Sequence, residues 1–203
     1  MKIICIARNY LAHVHELGNA VPGGMVLFLK PASALLTGGM PFHHPDFSQH
    51  IDYETEIVLR VSKGGSRIPA KAALSHIDAV TVGIDFTARD LQASQKAKGL
   101  PWEIAKSFDS SACLGSWMPI SEIPQLEAIG FHLERDGTVV QKGNTKAMTF
   151  GFAAIISHAS KYFTLERGDV IFTGTPAGIG KIASGETYHG YLNGQQLLAC
   201  KIQ

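Results

Sequence analysis

Three carboxylates give the first chemical clue. Glu54 and Glu56 lie in Asp52-Tyr-Glu-Thr-Glu-Ile-Val-Leu-Arg-Val61, and Asp85 lies in Ala79-Val-Thr-Val-Gly-Ile-Asp-Phe86. Both runs are rich in β-branched and apolar residues and read as strands. Side chains at i and i+2 of a strand share a face, so Glu54 and Glu56 point the same way. Close carboxylates repel unless a cation or solvent intervenes, and a lone charge inside an apolar run is costly. A hard divalent cation held by Glu54, Glu56 and Asp85 answers these demands, and Mg²⁺ is typically held by a few carboxylates plus water and substrate oxygens. The plainer alternative is a half-exposed strand whose wet face carries Glu54 and Glu56. That alternative does not cover Asp85.

A second set could move protons. Asn9–Leu17 reads as a short helix ended by Gly18-Asn19, a usual C-cap pair. On a helical projection Leu11, Val14 and Leu17 form an apolar stripe, whereas His13 and Glu16 are neighbours on another side. His15 falls away from Glu16. A His–Glu pair can fix one imidazole tautomer and poise it as a general base; it can equally be two polar residues on a wet helix face. Arg89, Asp90 and Gln92 follow Asp85 closely, and Lys106 sits among apolar flanks in Ile104-Ala-Lys-Ser-Phe108. Such groups near a metal suit a carboxylate substrate. The glycine-rich run Thr173-Gly-Thr-Pro-Ala-Gly-Ile-Gly-Lys181 fits neither the phosphate loop nor the dinucleotide fingerprint, but its backbone N–H groups can still meet a carboxylate. His43-His44 and the other histidines lack ligand spacing and read as loop or surface residues.

The elements that position these residues are short. Lys2–Ala7, Met25–Leu29 and Asp169–Thr173 read as strands, residues 37 to 50 as a loop, Ala88–Ala97 and Phe150–Phe163 as helices. Asp136-Gly137 and Asn193-Gly194 are hairpin signals. Strands outnumber helices without a steady βαβ rhythm, which predicts an α+β, β-rich architecture. At 203 residues the chain reads as one domain spanning 1–203. Charged residues are 17% of the chain, against ~25% in typical soluble domains, and the mean hydropathy is positive; together they suggest surface buried between subunits. Net charge is +1 and there is no dense block of Lys or Arg, which argues against nucleic acid. The apolar runs are too short to span a membrane, and the N-terminus, cut by Arg8, does not read as a signal peptide. Cys5, Cys113 and Cys200 are odd in number and dispersed, and read as buried thiols in a reducing cytoplasm.

Taken together, these segments resemble the fumarylacetoacetate hydrolase family, in its compact acylpyruvase-like branch. The matching segments are Ala7-Arg-Asn-Tyr10 with His13 and Glu16, Val26-Leu-Phe-Leu-Lys-Pro31, Asp52-Tyr-Glu-Thr-Glu56, Asp85-Phe-Thr-Ala-Arg-Asp-Leu-Gln92, Gly99-Leu-Pro-Trp102, Ala105-Lys-Ser-Phe108 and Gly168-Asp-Val-Ile-Phe-Thr-Gly-Thr-Pro176. They run in family order over nearly the whole chain. Ala7 departs from the glycine that many relatives carry before Arg-Asn-Tyr. The resemblance implies a mixed β-sandwich roll, usually a homodimer, holding one Mg²⁺, with Mn²⁺ or Ca²⁺ as substitutes. It implies Glu54, Glu56 and Asp85 as metal ligands, His13 and Glu16 as a catalytic pair on a lid helix, and Lys106 as a catalytic cation. Arg8, Arg89, Gln92 and Thr175 are implied as substrate contacts.

The implied activity is metal-dependent C–C hydrolysis of a 2,4-dioxo acid of the acylpyruvate type. His13, oriented by Glu16, would activate a water, and the metal with Lys106 would stabilise the enolate that leaves. Decarboxylation of an oxo diacid such as oxaloacetate, or keto–enol tautomerisation, passes through the same enolate and is the alternative. A metal and oxo-acid binding module without turnover is a further reading, against which the His13–Glu16 pair argues.

Overall fold

β-Branched runs pair into three sheets in a computed structural model that describes residues 1–36 and 39–203. The loop expected over residues 37 to 50 includes Thr37 and Gly38, which lie outside the described residues. In chain order, strand β1 (Ile3–Ala7) leads to helix α1 (Leu11–Glu16), then β2 (Val26–Lys30) and β3 (Leu35–Leu36). Next come β4 (Ile51–Tyr53), β5 (Thr55–Val61), the short helix α2 (Ala70–Ala73) and β6 (Ile77–Asp85). β7 (Thr87–Ala88) opens α3 (Arg89–Ala97), followed by α4 (Glu103–Lys106), β8 (Ala112–Leu114) and β9 (Met118–Pro119). The C-terminal third holds β10 (Gly130–Arg135), β11 (Thr138–Asn144), α5 (Phe152–Tyr162), β12 (Val170–Phe172), β13 (Gly180–Lys181), β14 (Thr187–Leu192) and β15 (Gln195–Lys201).

The largest sheet runs β2-β1-β12-β5-β6-β8-β3, with β9 added to β6. It is mixed: β1 pairs parallel with β12 and β3 with β8, while β5 and β6 are antiparallel. A second sheet runs β11-β10-β14-β15 and a third runs β13-β4-β7. This is the expected α+β, β-rich roll. The two hairpins form where the sequence places them: Asp136 and Gly137, and Asn193 and Gly194, all have positive φ, the backbone of a tight primed turn.

The core explains why the central strands carry few polar residues. Ile57, Leu59, Val80 and Val82 of β5 and β6 meet Ile155, Ile156 and Ala159 of α5, together with Phe131 of β10. On the other side of the sheet, Val58 and Phe172 pack with Ile3 and Cys5. Helix α5 buries Phe152, Ile155, Ile156, Ala159 and Ser160, a single stripe at helical spacing. Each such apolar side chain contributes about 1.5–3 kcal/mol by leaving water. Every residue of β5 except Arg60 is buried, so this strand has no wet face.

Three expectations are corrected. The acidic run is not one strand: it breaks at Glu54, where the chain passes from β4 in the small sheet to β5 in the large one. Helix α1 is shorter than the expected Asn9–Leu17 because Asn9 spends its side chain on tertiary bonds. Its Nδ2 donates to the Phe150 and Thr173 carbonyls at 3.0 and 2.8 Å, and its Oδ1 accepts from Phe150 N–H at 2.8 Å. The predicted stripe on α1 also shifts: Val14 is buried, but Leu11 is exposed and His13 is buried instead. The helix thus turns its imidazole inward. Among the described residues no helix is long and apolar enough to cross a membrane, and Cys5, Cys113 and Cys200 are free and buried.

Candidate active site

The β5–β6 ladder brings the carboxylates together. Glu56 lies opposite Gly83, and the Asp85 N–H donates to the Glu54 carbonyl at 2.9 Å. One oxygen from each of Glu54, Glu56 and Asp85 lies within 4.8 Å of the others. The three side chains are only 4%, 2% and 1% exposed, which rules out the wet-face alternative. Such a cluster must be neutralised where it stands.

Protein cations supply part of that charge. Lys106 Nζ donates to Glu54 Oε2 at 2.8 Å, Asp85 Oδ2 at 2.9 Å and Thr87 Oγ1 at 2.6 Å. Arg89 donates to Asp52 Oδ2, Glu54 Oε1 and Gln92 Oε1 at 2.8, 2.6 and 2.7 Å. Burial opposes ionisation of Glu54, but Lys106 and then Arg89 outweigh it and hold the carboxyl well below its ordinary range. Burial likewise opposes the charge on Lys106, and Asp85 and Glu54 more than restore it, raising its pKa. Lys106 is therefore a fixed positive charge.

Glu56 is different. Among the described residues it has no cationic partner; its Oε2 accepts only the Gly174 N–H at 2.6 Å. Burial, then the nearby Asp85 charge, pushes its pKa well above the ordinary carboxylate value. Asp85 Oδ1 lies 2.8 Å from Lys30 Nζ, an ion pair by distance, yet it accepts no well-directed hydrogen bond. A buried Glu56 carboxylate without a cationic partner among the described residues, beside an Asp85 oxygen that meets Lys30 at ion-pair distance but not in hydrogen-bond geometry, is the arrangement a hard divalent cation would complete, so the residues fit such an ion.

The imidazole enters the cleft from α1. His13 Nδ1 lies 3.0 Å from Glu16 Oε2, and Glu16 Oε1 accepts the Gly178 N–H at 2.8 Å. That engagement leaves Nε2 as the ring atom free for a ligand. His15 is exposed. The glycine-rich turn after β12 does present N–H groups to carboxylates, but they are the protein's own: Gly174 serves Glu56 and Gly178 serves Glu16. Gly174 has φ 100°, and a Cβ there would come within 2.7 Å of Asn9 Cβ, so only glycine lets the turn approach.

One cleft is lined by Glu54, Glu56, Asp85, His13, Lys106, Arg8, Arg89, Gln92 and Thr175. Glu16 stands behind His13. The Thr175 hydroxyl is already used, donating to the Thr55 carbonyl at 2.9 Å and accepting from Gln141 Nε2 at 2.8 Å. Sequence reasoning missed Lys30, Gln141 and Lys96. Lys30 is fully buried and binds Ser111 Oγ at 2.9 Å. Its signal was available: a cation closing the apolar run Val26-Leu-Phe-Leu29. Gln141 and Lys96 carry no comparable mark.

Comparison with known proteins places this geometry. The fumarylacetoacetate (FAA) hydrolase C-terminal model matches residues 2–202. The mitochondrial oxaloacetate tautomerase fahd-1 of Caenorhabditis elegans is 40% identical over 185 residues, 91% of this chain and 86% of that protein. The mitochondrial oxaloacetate decarboxylase of Dictyostelium discoideum is 38% identical over 186 residues, 91% of this chain and 85% of its own length. The crystal structure of fumarylpyruvate hydrolase from Pseudomonas aeruginosa, in complex with Mn²⁺ and pyruvate, superposes with a TM-score of 0.93 at 33% identity, covering 100% of this chain and 89% of that one. The expected cytoplasmic location is overturned here, since these curated relatives are mitochondrial. Free buried thiols separate reducing from oxidising surroundings but do not distinguish one reducing compartment from another. On its matched length, its fold and its relatives, the chain belongs to the fumarylacetoacetate hydrolase family.

Proposed function

We propose that the chain catalyses keto–enol tautomerisation of a 2-oxo diacid of the oxaloacetate type, with decarboxylation of the same substrate as a related outcome. The observation that carries this reading is the pairing, in one cleft, of a tautomer-fixed imidazole with a buried, permanently charged lysine. His13 Nε2 takes the proton from the carbon between the two carbonyl groups, and its Nδ1–H bond to Glu16 stabilises the imidazolium. Lys106 holds positive charge where the enolate oxygen develops. Giving that proton to the enolate oxygen completes enolisation; in the other direction the ring takes the proton from the enol hydroxyl and delivers it to carbon. A divalent ion at Glu54, Glu56 and Asp85 would supply Lewis-acid polarisation of the carbonyl; Mg²⁺ is our assignment, with Mn²⁺ or Ca²⁺ able to replace it. Among the described residues the Gln92 amide N–H groups have no partner and are offered to the substrate, whereas Arg89 acts by holding Glu54 and Gln92 in place. The similarity to an oxaloacetate tautomerase and an oxaloacetate decarboxylase supports this choice over the hydrolysis expected first.

Hydrolysis of an acylpyruvate is the second reading, favoured by the whole-chain match to fumarylpyruvate hydrolase. There His13 would deprotonate a water instead of a carbon. We read residues 1–203 as one catalytic domain that works as a homodimer; exposed Phe47 and Ile104 are candidates for the buried contact. The test is a substrate panel on Mg²⁺-loaded protein: decay of enol absorbance and release of CO₂ with oxaloacetate, and release of pyruvate with acylpyruvates. Enol decay well above the metal-only control supports tautomerisation. Acylpyruvate cleavage with no effect on oxaloacetate would replace it with the hydrolase reading.

A further inference from the structure

The cleft has two cationic regions, and only the deeper one is neutralised. Lys30, Lys106 and Arg89 each lie against a carboxylate of the cluster or of Asp52. At the mouth stand Arg8 and Lys96. Among the described residues neither has a carboxylate within ion-pair distance. Lys96, on the last turn of α3, donates to the neutral Asn19 Oδ1 at 2.7 Å. The Arg8 guanidinium lies 5.8 Å from the Trp102 ring centroid. Both are thus held over the cleft by neutral partners.

The backbone of Arg8 gives independent support. It sits at the β1–α1 turn with φ 59°, a left-handed conformation that a residue with a Cβ adopts at a cost. Burial, followed by repulsion from Arg8 and Arg89, pushes the Lys96 pKa down, which marks uncompensated positive charge. An anion arriving there relieves that repulsion. An apolar acyl group would instead strip water from two charges and pair with neither.

We propose that Arg8 and Lys96 form a second anion-binding pole that takes the distal carboxylate of the substrate, so that the site selects 2-oxo dicarboxylates over 2-oxo monocarboxylates. This deepens the tautomerase reading and rests on it for the placement of the proximal end. The Lys96–Asn19 bond adds a consequence. Asn19 follows the lid and donates its N–H to the Val14 carbonyl at 3.0 Å, so occupancy of the outer pole also steadies α1.

Binding of unreactive analogues tests this without turnover. Malate and lactate share a 2-hydroxy acid head and differ by one carboxylate. Calorimetry on the Mg²⁺-loaded wild type should show malate preferred. Lys96→Met should weaken malate about tenfold, the loss of one charge-assisted contact, and leave lactate unchanged. Lys96→Glu should weaken malate further and Lys96→Arg should retain it. Arg8→Met should act like Lys96→Met; its melting temperature identifies a folding defect, in which case the Lys96 series decides. Equal affinity of the wild type for the two acids, no measurable malate binding, or a malate preference indifferent to Lys96 would overturn the proposal. Oxaloacetate turnover is scored separately. A Lys96-dependent malate preference in a protein inert to oxaloacetate would sink the tautomerase reading and leave the pole standing. Turnover with an indifferent Lys96 would do the reverse.

Discussion

The carboxylate cluster and the imidazole that faces it rest on supports of opposite kind. Glu56 and Asp85 project from β5 and β6, strands paired on both edges and packed on both faces. His13 rides on a six-residue helix with no side-chain N-cap, far too short to be stable alone. That helix is moored by Asn9 at one end and by the Glu16–Gly178 contact at the other. Charges that must hold a fixed separation are built into the most rigid part of the fold. The imidazole is carried on a segment that few tertiary bonds hold.

The largest loss is expected in the carboxylate cluster. Asp85→Ala should abolish divalent-metal binding in calorimetry and reduce activity to background, because it removes one arm of the cluster and leaves Lys106 and Lys30 without it. Wild-type metal affinity in that variant would contradict the assignment. On α1, His13→Ala should lose ~10²–10⁴ in kcat, the usual worth of general-base assistance, with metal affinity unchanged. Glu16→Gln should show a smaller loss, and His15→Ala should stay within a few-fold of wild type. A severe His15→Ala defect beside a mild His13→Ala one would reverse the roles.

Lys106→Met spans the two regions. It should lower kcat/KM by about 10²-fold, as removal of one electrostatic stabiliser does, while Mg²⁺-loaded protein keeps its fold by circular dichroism. Unchanged kcat/KM would leave Lys106 a structural cation. Asn9→Ala should cost about 1–3 kcal/mol in urea unfolding, the worth of buried polar groups left unpaired, and should speed hydrogen exchange in Leu11–Glu16 more than in β5. Equal acceleration in both would show that the mooring is not local.

The smallest effect is the pH dependence of the metal-free protein. The folded-state pKa of Glu56 is raised above its ordinary value of 4.5, so the folded state binds the extra proton. Metal-free stability therefore falls as pH rises from about 4.5 through the range where Glu56 ionises. Glu54, held low, acts in the opposite sense and only below that range. Mg²⁺ needs the ionised carboxylates, so its gain in melting temperature should be larger at pH 8 than at pH 5. An equal gain at both would remove Glu56 from the cluster.

Residue type and spacing suffice for what is local or periodic. The β-rich class, both primed hairpins, the stripe on α5 and the i, i+3 adjacency of His13 and Glu16 follow from residue type and spacing, because those preferences act over a turn or a strand. The motif set was also legible, since it lies in short runs. Tertiary structure alone decided the rest. It broke the acidic strand at Glu54 because the chain changes sheets there, and shortened α1 because Asn9 found partners some 141 and 164 positions away. It placed Lys30 against Asp85, set the N–H groups of Gly174 and Gly178 on Glu56 and Glu16, and left Lys96 and Arg8 with no carboxylate at ion-pair distance among the described residues. Each of these depends on which distant segments come into contact, and contact across the chain is fixed by packing the whole core, not by the preferences of any one segment.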